Sequence, residues 1–300
     1  MKHILGSLTR SLIVPMCCSC IMLGCATVNV DDVNVVTAPA PDPESDVHIT
    51  PDVVYGHKDG MALTYDVIRP KDPNGAAILF MVSGGWFSRY SPPEEAAKRF
   101  SGMLDGGYTL YMVRHGSAPK FKVPDAVADV EKAVAHIHDH AEEHGVDHSR
   151  LGVFGGSAGG HLSLMLGCAT GPVGEAPDAD AVAGKGRVAA VVAYFPPIDL
   201  REIIGPNERF PALDFDAADA AYVSPILHVT PDDPPTLLVH GDKDDLVPII
   251  TSETIHAAFN ENKVESDFIT ISGAGHGFGG ADAEMAMRAV IGWFDEHLAE

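Results

Sequence analysis

From Ala76 onward the chain alternates short continuous apolar runs with longer stretches of helical periodicity, and few folds tolerate that alternation. Ala76–Val82, Tyr108–Val113, Leu151–Phe154, Val188–Tyr194, Pro235–Val239 and Glu265–Ile271 read as strands buried on both faces. Between and after them lie helical stretches at Pro93–Leu104, from Pro124 to Gly145, and at Ala158–Leu166, Ile249–Phe259 and Ala281–Leu298. The second of these carries Val127, Val130, Val134, Ile137 and Ala141 at three- and four-residue spacing. Strands alternating with helices predict an α/β fold: a mostly parallel, doubly wound sheet with helices on both faces and right-handed crossovers. Upstream, Val53–Tyr55 and Ala62–Val67 predict an antiparallel pair turned at Lys58-Asp59-Gly60. Leu200–Ala221 fits neither period and is expected to run over one end of the sheet.

The first 25 residues read as an address. Lys2 and Arg10 precede an apolar run from Leu12 to Leu23, which ends in the small residues Gly24-Cys25-Ala26. That run falls short of the roughly 20 apolar residues of a membrane span. Met22-Leu23-Gly24-Cys25 resembles the bacterial lipobox, which implies lipid attachment at Cys25. The alternative is ordinary cleavage after Ala26. From there to Asp46 the prolines at 39, 41 and 43 and the acidic residues describe a tether. The expected organisation is therefore a lipoprotein-type signal over 1–25, a linker over 26–46 and one catalytic domain over 47–300. It implies an exported protein on a membrane facing the periplasm or cell surface, or else a secreted one.

Cys17, Cys18, Cys20 and Cys25 crowd that leader and leave only Cys168 in the body, so no disulfide framework is expected and Cys168 reads as a small buried hydrophobe. With 20 basic and 42 acidic side chains the net charge is −22, which repels phosphate backbones and sets nucleic acid aside as a partner. His136, His140 and His144 recur at four-residue spacing, but no third ligand pattern accompanies them. They read as a solvated helix face, and no metal is expected.

Gly155-Gly156-Ser157-Ala158-Gly159 fits G-x-S-x-G between a predicted strand and a predicted helix. Glycines there let strand and helix backbones pass closely while the serine hydroxyl projects from the turn. His240 to Pro248, with Asp242, Asp244 and Asp245, follows the next but one strand; Gly273 to Phe278, with His276, follows the strand after it. A serine needs a histidine base to act as a nucleophile near neutral pH, and the histidine needs an acid to fix its tautomer. All three groups fall at carboxyl ends of strands, where open α/β sheets form their crevice.

Over Tyr55 to His297 these motifs resemble the α/β-hydrolases, and most of all the bifunctional feruloyl and acetyl-xylan esterase branch (BD-FAE-like), near the hormone-sensitive-lipase-like esterases. Gly155 to Leu162 and Gly273 to Phe278 carry the likeness, and His240 to Pro248 matches its H-G-x-x-D-x-x-V-P pattern. The resemblance implies the triad Ser157, Asp244 and His276, a carboxylic ester substrate on a small molecule or carbohydrate, and no cofactor. It also implies an oxyanion hole from the N–H groups of Gly84, Gly85 and Ala158. The branch has His-Gly-Gly-Gly-Trp where this chain has Val82-Ser83-Gly84-Gly85-Trp86, a departure in how the loop is braced. Trp86 reads either as a wall of the acyl pocket or as core packing. His161 is expected to pack below the nucleophile, and Arg114, His115 and Asp129 to serve as scaffold. Two rival readings remain, a prolyl-oligopeptidase-like serine peptidase and a catalytically inactive binding protein. Such peptidases carry a propeller or long N-terminal element, which is not expected in 300 residues.

Overall fold

The structure is a computed structural model and describes residues 46–168 and 188–299. The leader, Cys25 and most of the tether lie outside the described residues, as does the stretch 169–187. Eight strands form one sheet in the order β1-β2-β4-β3-β5-β6-β7-β8. They are β1 (Val47–Lys58), β2 (Met61–Pro70), β3 (Ala77–Met81), β4 (Thr109–Val113), β5 (Leu151–Gly156), β6 (Ala190–Tyr194), β7 (Thr236–Gly241) and β8 (Ser266–Ile271). β1 and β2 pair antiparallel, β2 joins β4 antiparallel, and every later pairing is parallel.

The helices are α1 (Pro93–Arg99), α2 (Ser101–Asp105), α3 (Val123–His140), α4 (Ala158–Cys168), α5 (Ile250–Asn262) and α6 (Gly280–His297). Side chains along a strand point alternately to opposite faces, so neighbours in β3 enter different cores. Ala77 and Leu79 join the core under α3, α4 and α5, which includes Val130, Leu164 and Phe259. Ile78 joins the core under α2 and α6, which includes Met103 and Phe294. Helices therefore cover both faces of a mostly parallel open sheet, as the alternation predicts.

Some elements differ from the sequence reading. β1 begins at Val47 rather than Val53, with a bulge at Asp52, whose φ of 52° interrupts the pattern. The stretch read as one helix over Pro93–Leu104 is broken at Phe100, which leaves helical geometry and buries its ring 4.9 Å from that of Phe80. Leu200 to Leu227 runs as four short 3₁₀ turns, at Leu200–Glu202, Pro211–Leu213, Ala217–Asp219 and Pro225–Leu227. The α3 histidines are half-buried rather than a solvated face, because His136 bonds to the Tyr65 hydroxyl at 3.0 Å and stacks on His140 at 4.1 Å.

Candidate active site

β5 ends directly into α4, and Ser157 makes the turn with φ of 56°, a left-handed conformation that non-glycine residues adopt only at a cost. Its N–H donates to the Tyr194 carbonyl at 2.9 Å, locking the turn to β6. A Cβ on Gly155 would lie 2.4 Å from the Gly159 carbonyl oxygen, so strand and helix can meet only through glycine. α4 is buried along its whole length. This is what an apolar helix wedged behind a sheet requires.

The loop after β8 carries His276, whose Nε2 accepts from the Ser157 hydroxyl at 2.8 Å. His276 Nδ1–H donates to Asp244 Oδ2 at 2.7 Å, so serine, histidine and aspartate form one continuous relay. Asp244 sits in the loop after β7, its side chain fully shielded from solvent. Oδ1 accepts the N–H groups of Leu246 and Val247, each at 2.9 Å. Burial raises the pKa of this carboxyl, but the Val247 and Leu246 amides and the His276 N–H outweigh it, holding the pKa below the usual carboxylate range. The group is thus fixed as an anion facing the imidazole.

The neighbouring acids do other work. Asp242 Oδ1 accepts the Gly273 N–H at 2.7 Å, bracing the histidine loop, and Asp245 is exposed. His240 has no separate role in the sequence reading. It is buried, its Nε2–H donates to the Val247 carbonyl at 2.8 Å, and the same nitrogen lies 3.3 Å from Asp244 Oδ2. Its Nδ1 accepts from the Ser252 hydroxyl at 2.8 Å, and burial lowers its pKa, so it is a neutral dipole beside the acid. Phe195 was missed as well; its ring lies 4.6 Å from that of His276.

The loop after β3 departs from expectation at two positions. Gly84 and Phe87 exchange backbone hydrogen bonds of 3.0 Å across a tight turn, with Gly85 and Trp86 both at φ of 58°. The Gly84 N–H, expected in the oxyanion hole, is therefore spent on the Phe87 carbonyl. Gly85 and Ala158 have no acceptor for their N–H groups among the described residues, and these remain the candidate donors. The turn also sends Trp86 inward. It is 4% exposed and donates from Nε1 to His161 Nδ1 at 3.3 Å, so it belongs to the core and Phe87 lines the cleft instead.

His161 in turn donates from Nε2 to the Val223 carbonyl at 2.8 Å, and burial pulls its pKa down to about 4. A chain of contacts thus runs from the segment over the sheet, under Ser157, to the loop after β3. Where the branch has a histidine and a glycine, this chain braces the loop through Ser83. The Ser83 hydroxyl donates to His115 Nε2 at 2.9 Å, while His115 Nδ1–H donates to the Gly116 carbonyl at 2.9 Å. Arg114 binds Asp66, Thr64 and Asp52, and Asp129 accepts the Gly116 N–H at 2.9 Å, both within the scaffold. A serine hydroxyl bonded to an imidazole, a carboxylate that orients it, and two amides without an acceptor among the described residues match the parts that acyl transfer needs.

A family model described as BD-FAE matches residues 65–259. Over 215 residues the chain is 29% identical to the probable carboxylic ester hydrolase LipM of Mycobacterium tuberculosis, covering 66% of this chain and 48% of that protein. It is 26% identical to an acetylxylan esterase of Xylanibacter ruminicola, over 70% of this chain and 42% of that one. The chain spans about half the length of the curated relatives it matches. Among solved structures, a thermophilic esterase of Thermogutta terrifontis superimposes with a TM-score of 0.66 at 26% identity, covering 85% of this chain and 93% of that one. A truncated carbohydrate esterase from gut microbiota reaches a TM-score of 0.70 at 24% identity, over 86% and 99% of the two chains, and shares the fold.

Proposed function

The chain belongs to the BD-FAE family, and from that premise we propose that it is a serine hydrolase of carboxylic esters, acting on acylated carbohydrate or on small esters. The observation that carries this reading is the relay from Ser157 through His276 to Asp244, with links of 2.8 and 2.7 Å. Ser157 Oγ bonds to the acyl carbon as His276 Nε2 takes its proton, and the carbonyl electrons move onto oxygen, where Gly85 and Ala158 offer N–H groups. The alkoxide leaves with the proton from His276, giving alcohol and an acyl-serine. Water, deprotonated by His276, then releases the acid and restores the serine. No step needs a cofactor.

Fluorophosphonate labelling tests the nucleophile. The intact protein is expected to label and the Ser157→Ala protein to lose both the label and p-nitrophenyl acetate hydrolysis. An aminoacyl-naphthylamide cleaved faster than the ester would favour a peptidase. Export and a lipid anchor at Cys25 form part of the same proposal, supported by the basic, apolar and small-residue order of the leader. Several acyl chains would hold the domain on a membrane, each buried CH₂ contributing about 0.8 kcal/mol. Intact-mass measurement of the mature N-terminus tests it, and an unmodified chain starting at Thr27 would mean plain secretion.

A further inference from the structure

A cleft of about 1120 Å³ lies beside the Ser157–His276 end of the relay, because Gly156 and Gly277, the neighbours of those two residues, line it together with Ser83 of the loop after β3. It extends over the face of the sheet that α2 and α6 cover. Its charge runs against that of the chain. Acidic side chains outnumber basic ones 42 to 20 in the whole sequence, yet the ionisable residues lining this cleft, Tyr194 apart, are Arg89, Arg99, Arg288 and Glu284.

The arginines come from three separate elements: the loop after β3, the end of α1, and α6. Arg89 lies 5.6 Å from the Phe87 ring centroid, and Arg99 lies 5.8 Å from that of Phe80. Stacking on a ring uses the flat face of a guanidinium and leaves its N–H edge free for an acceptor. Among the described residues neither Arg89 nor Arg99 has a carboxylate within 4 Å, and Arg288 meets Glu284 only at 3.9 Å. Tyr194 lines the same cleft, and its buried hydroxyl has no hydrogen-bond partner among the described residues. Phe80, Phe154 and Phe195 give the cleft an apolar, aromatic floor.

We propose that this cleft binds a carboxylate carried by the ester substrate, with Arg89, Arg99 and Arg288 as its counter-charges and the aromatic floor under its carbon skeleton. A planar carboxylate matches the two parallel N–H groups of a guanidinium. In a chain of net charge −22 such a group is disfavoured except where arginines reverse the local potential, so the cleft selects its own ligand sign. The preferred substrates are then acid-bearing esters. The acid sits either on the acyl side, as in a half-ester of a dicarboxylic acid, or on the alcohol side, as in an acylated uronic acid. This inference rests on the ester-hydrolase reading and narrows it.

Two substrate pairs distinguish the sides, each pair differing only at the carbon that bears the carboxylate. Monomethyl glutarate is compared with methyl pentanoate, and acetylated methyl glucuronoside with acetylated methyl glucoside, by the ratio of kcat/KM within each pair. On one side the charged ester is expected to be favoured by about tenfold, the discrimination typical of a charge-assisted hydrogen bond. Replacing the three arginines together (Arg89→Gln, Arg99→Gln, Arg288→Gln) is expected to bring that ratio towards one. The ratio cancels any loss common to both esters. A ratio at or below one in both pairs, with the neutral esters hydrolysed, overturns the carboxylate site and leaves the esterase reading standing. A preference that survives the triple replacement also overturns it. Failure to hydrolyse any of the four esters overturns both readings.

Discussion

Asp244 divides its two oxygens between two tasks. Oδ1 is held by the Leu246 and Val247 amides, and Oδ2 receives His276 Nδ1–H with His240 close by. An amide in its place can satisfy only one of these sets of donors, and turning its NH₂ toward His276 would enforce the wrong tautomer. Asp244→Asn is therefore expected to lower kcat by about 10³- to 10⁴-fold. Asp242→Asn keeps an acceptor for the Gly273 N–H, and Asp245→Asn alters an exposed side chain, so each should cost less than about tenfold, below what the loss of an acid–base group costs. A larger loss at Asp245 in steady-state kinetics would move the acid by one residue. The sequence made an acidic cluster after β7 visible, but spacing alone left three aspartates open and only the resemblance chose among them. Which carboxylate turns toward the imidazole depends on loop hydrogen bonds that no periodicity encodes.

At the scale of elements the turn between β5 and α4 is the most exacting part of the fold. In Gly155→Ala the new methyl would meet the backbone of Gly159 at 2.4 Å, where no flexible side chain can yield. Overpacking of this kind costs about 1–3 kcal/mol, and the strain falls on the residue next but one to the hydroxyl. Urea denaturation is expected to show that loss together with reduced activity, whereas a change at an open glycine such as Gly279 should leave the midpoint nearly unmoved. The strand–glycine–helix context made this turn legible, because its chemistry follows from residue types at fixed positions. The loop after β3 was not legible in the same way. Gly84, Gly85 and Trp86 were recognisable, but the tight turn that spends the Gly84 amide and points Trp86 into the core depends on two positive φ angles. One of these belongs to a tryptophan, a residue that does not announce them. The Ser83–His115 bond was hidden for another reason, since 32 residues separate its partners.

Across the whole molecule, buried neutral histidines tie stability to pH. His161 is fully buried with a folded pKa of about 4, and burial lowers that of His115 too. The unfolded chain binds these protons more tightly than the folded one. Stability is therefore full above the ordinary histidine value near 6.5 and is lost as pH falls toward 4. For His161 alone that shift corresponds to about 3 kcal/mol. Burial acts with the opposite sign on Glu131, whose carboxyl is pushed up to about 7 and whose contribution grows as pH falls, so the His161 part is read as a difference. Between about pH 6.5 and 4.5 the thermal midpoint is expected to shift downward relative to that of His161→Gln; equal slopes in the two proteins would remove His161 from the account. At this scale the sequence was most informative, since strands buried on both faces leave an apolar signature that needs no knowledge of partners. The short turns of Leu200 to Leu227 left none, because their conformation is set by what they rest on. The left-handed Ser157 has a different consequence, one for descent. With the hydroxyl already lost, Ser157→Gly should melt above Ser157→Ala by about 2 °C, since a left-handed site costs a non-glycine residue about 1 kcal/mol. A lineage retained only for its fold would be expected to drift to glycine here, the residue that the backbone itself favours.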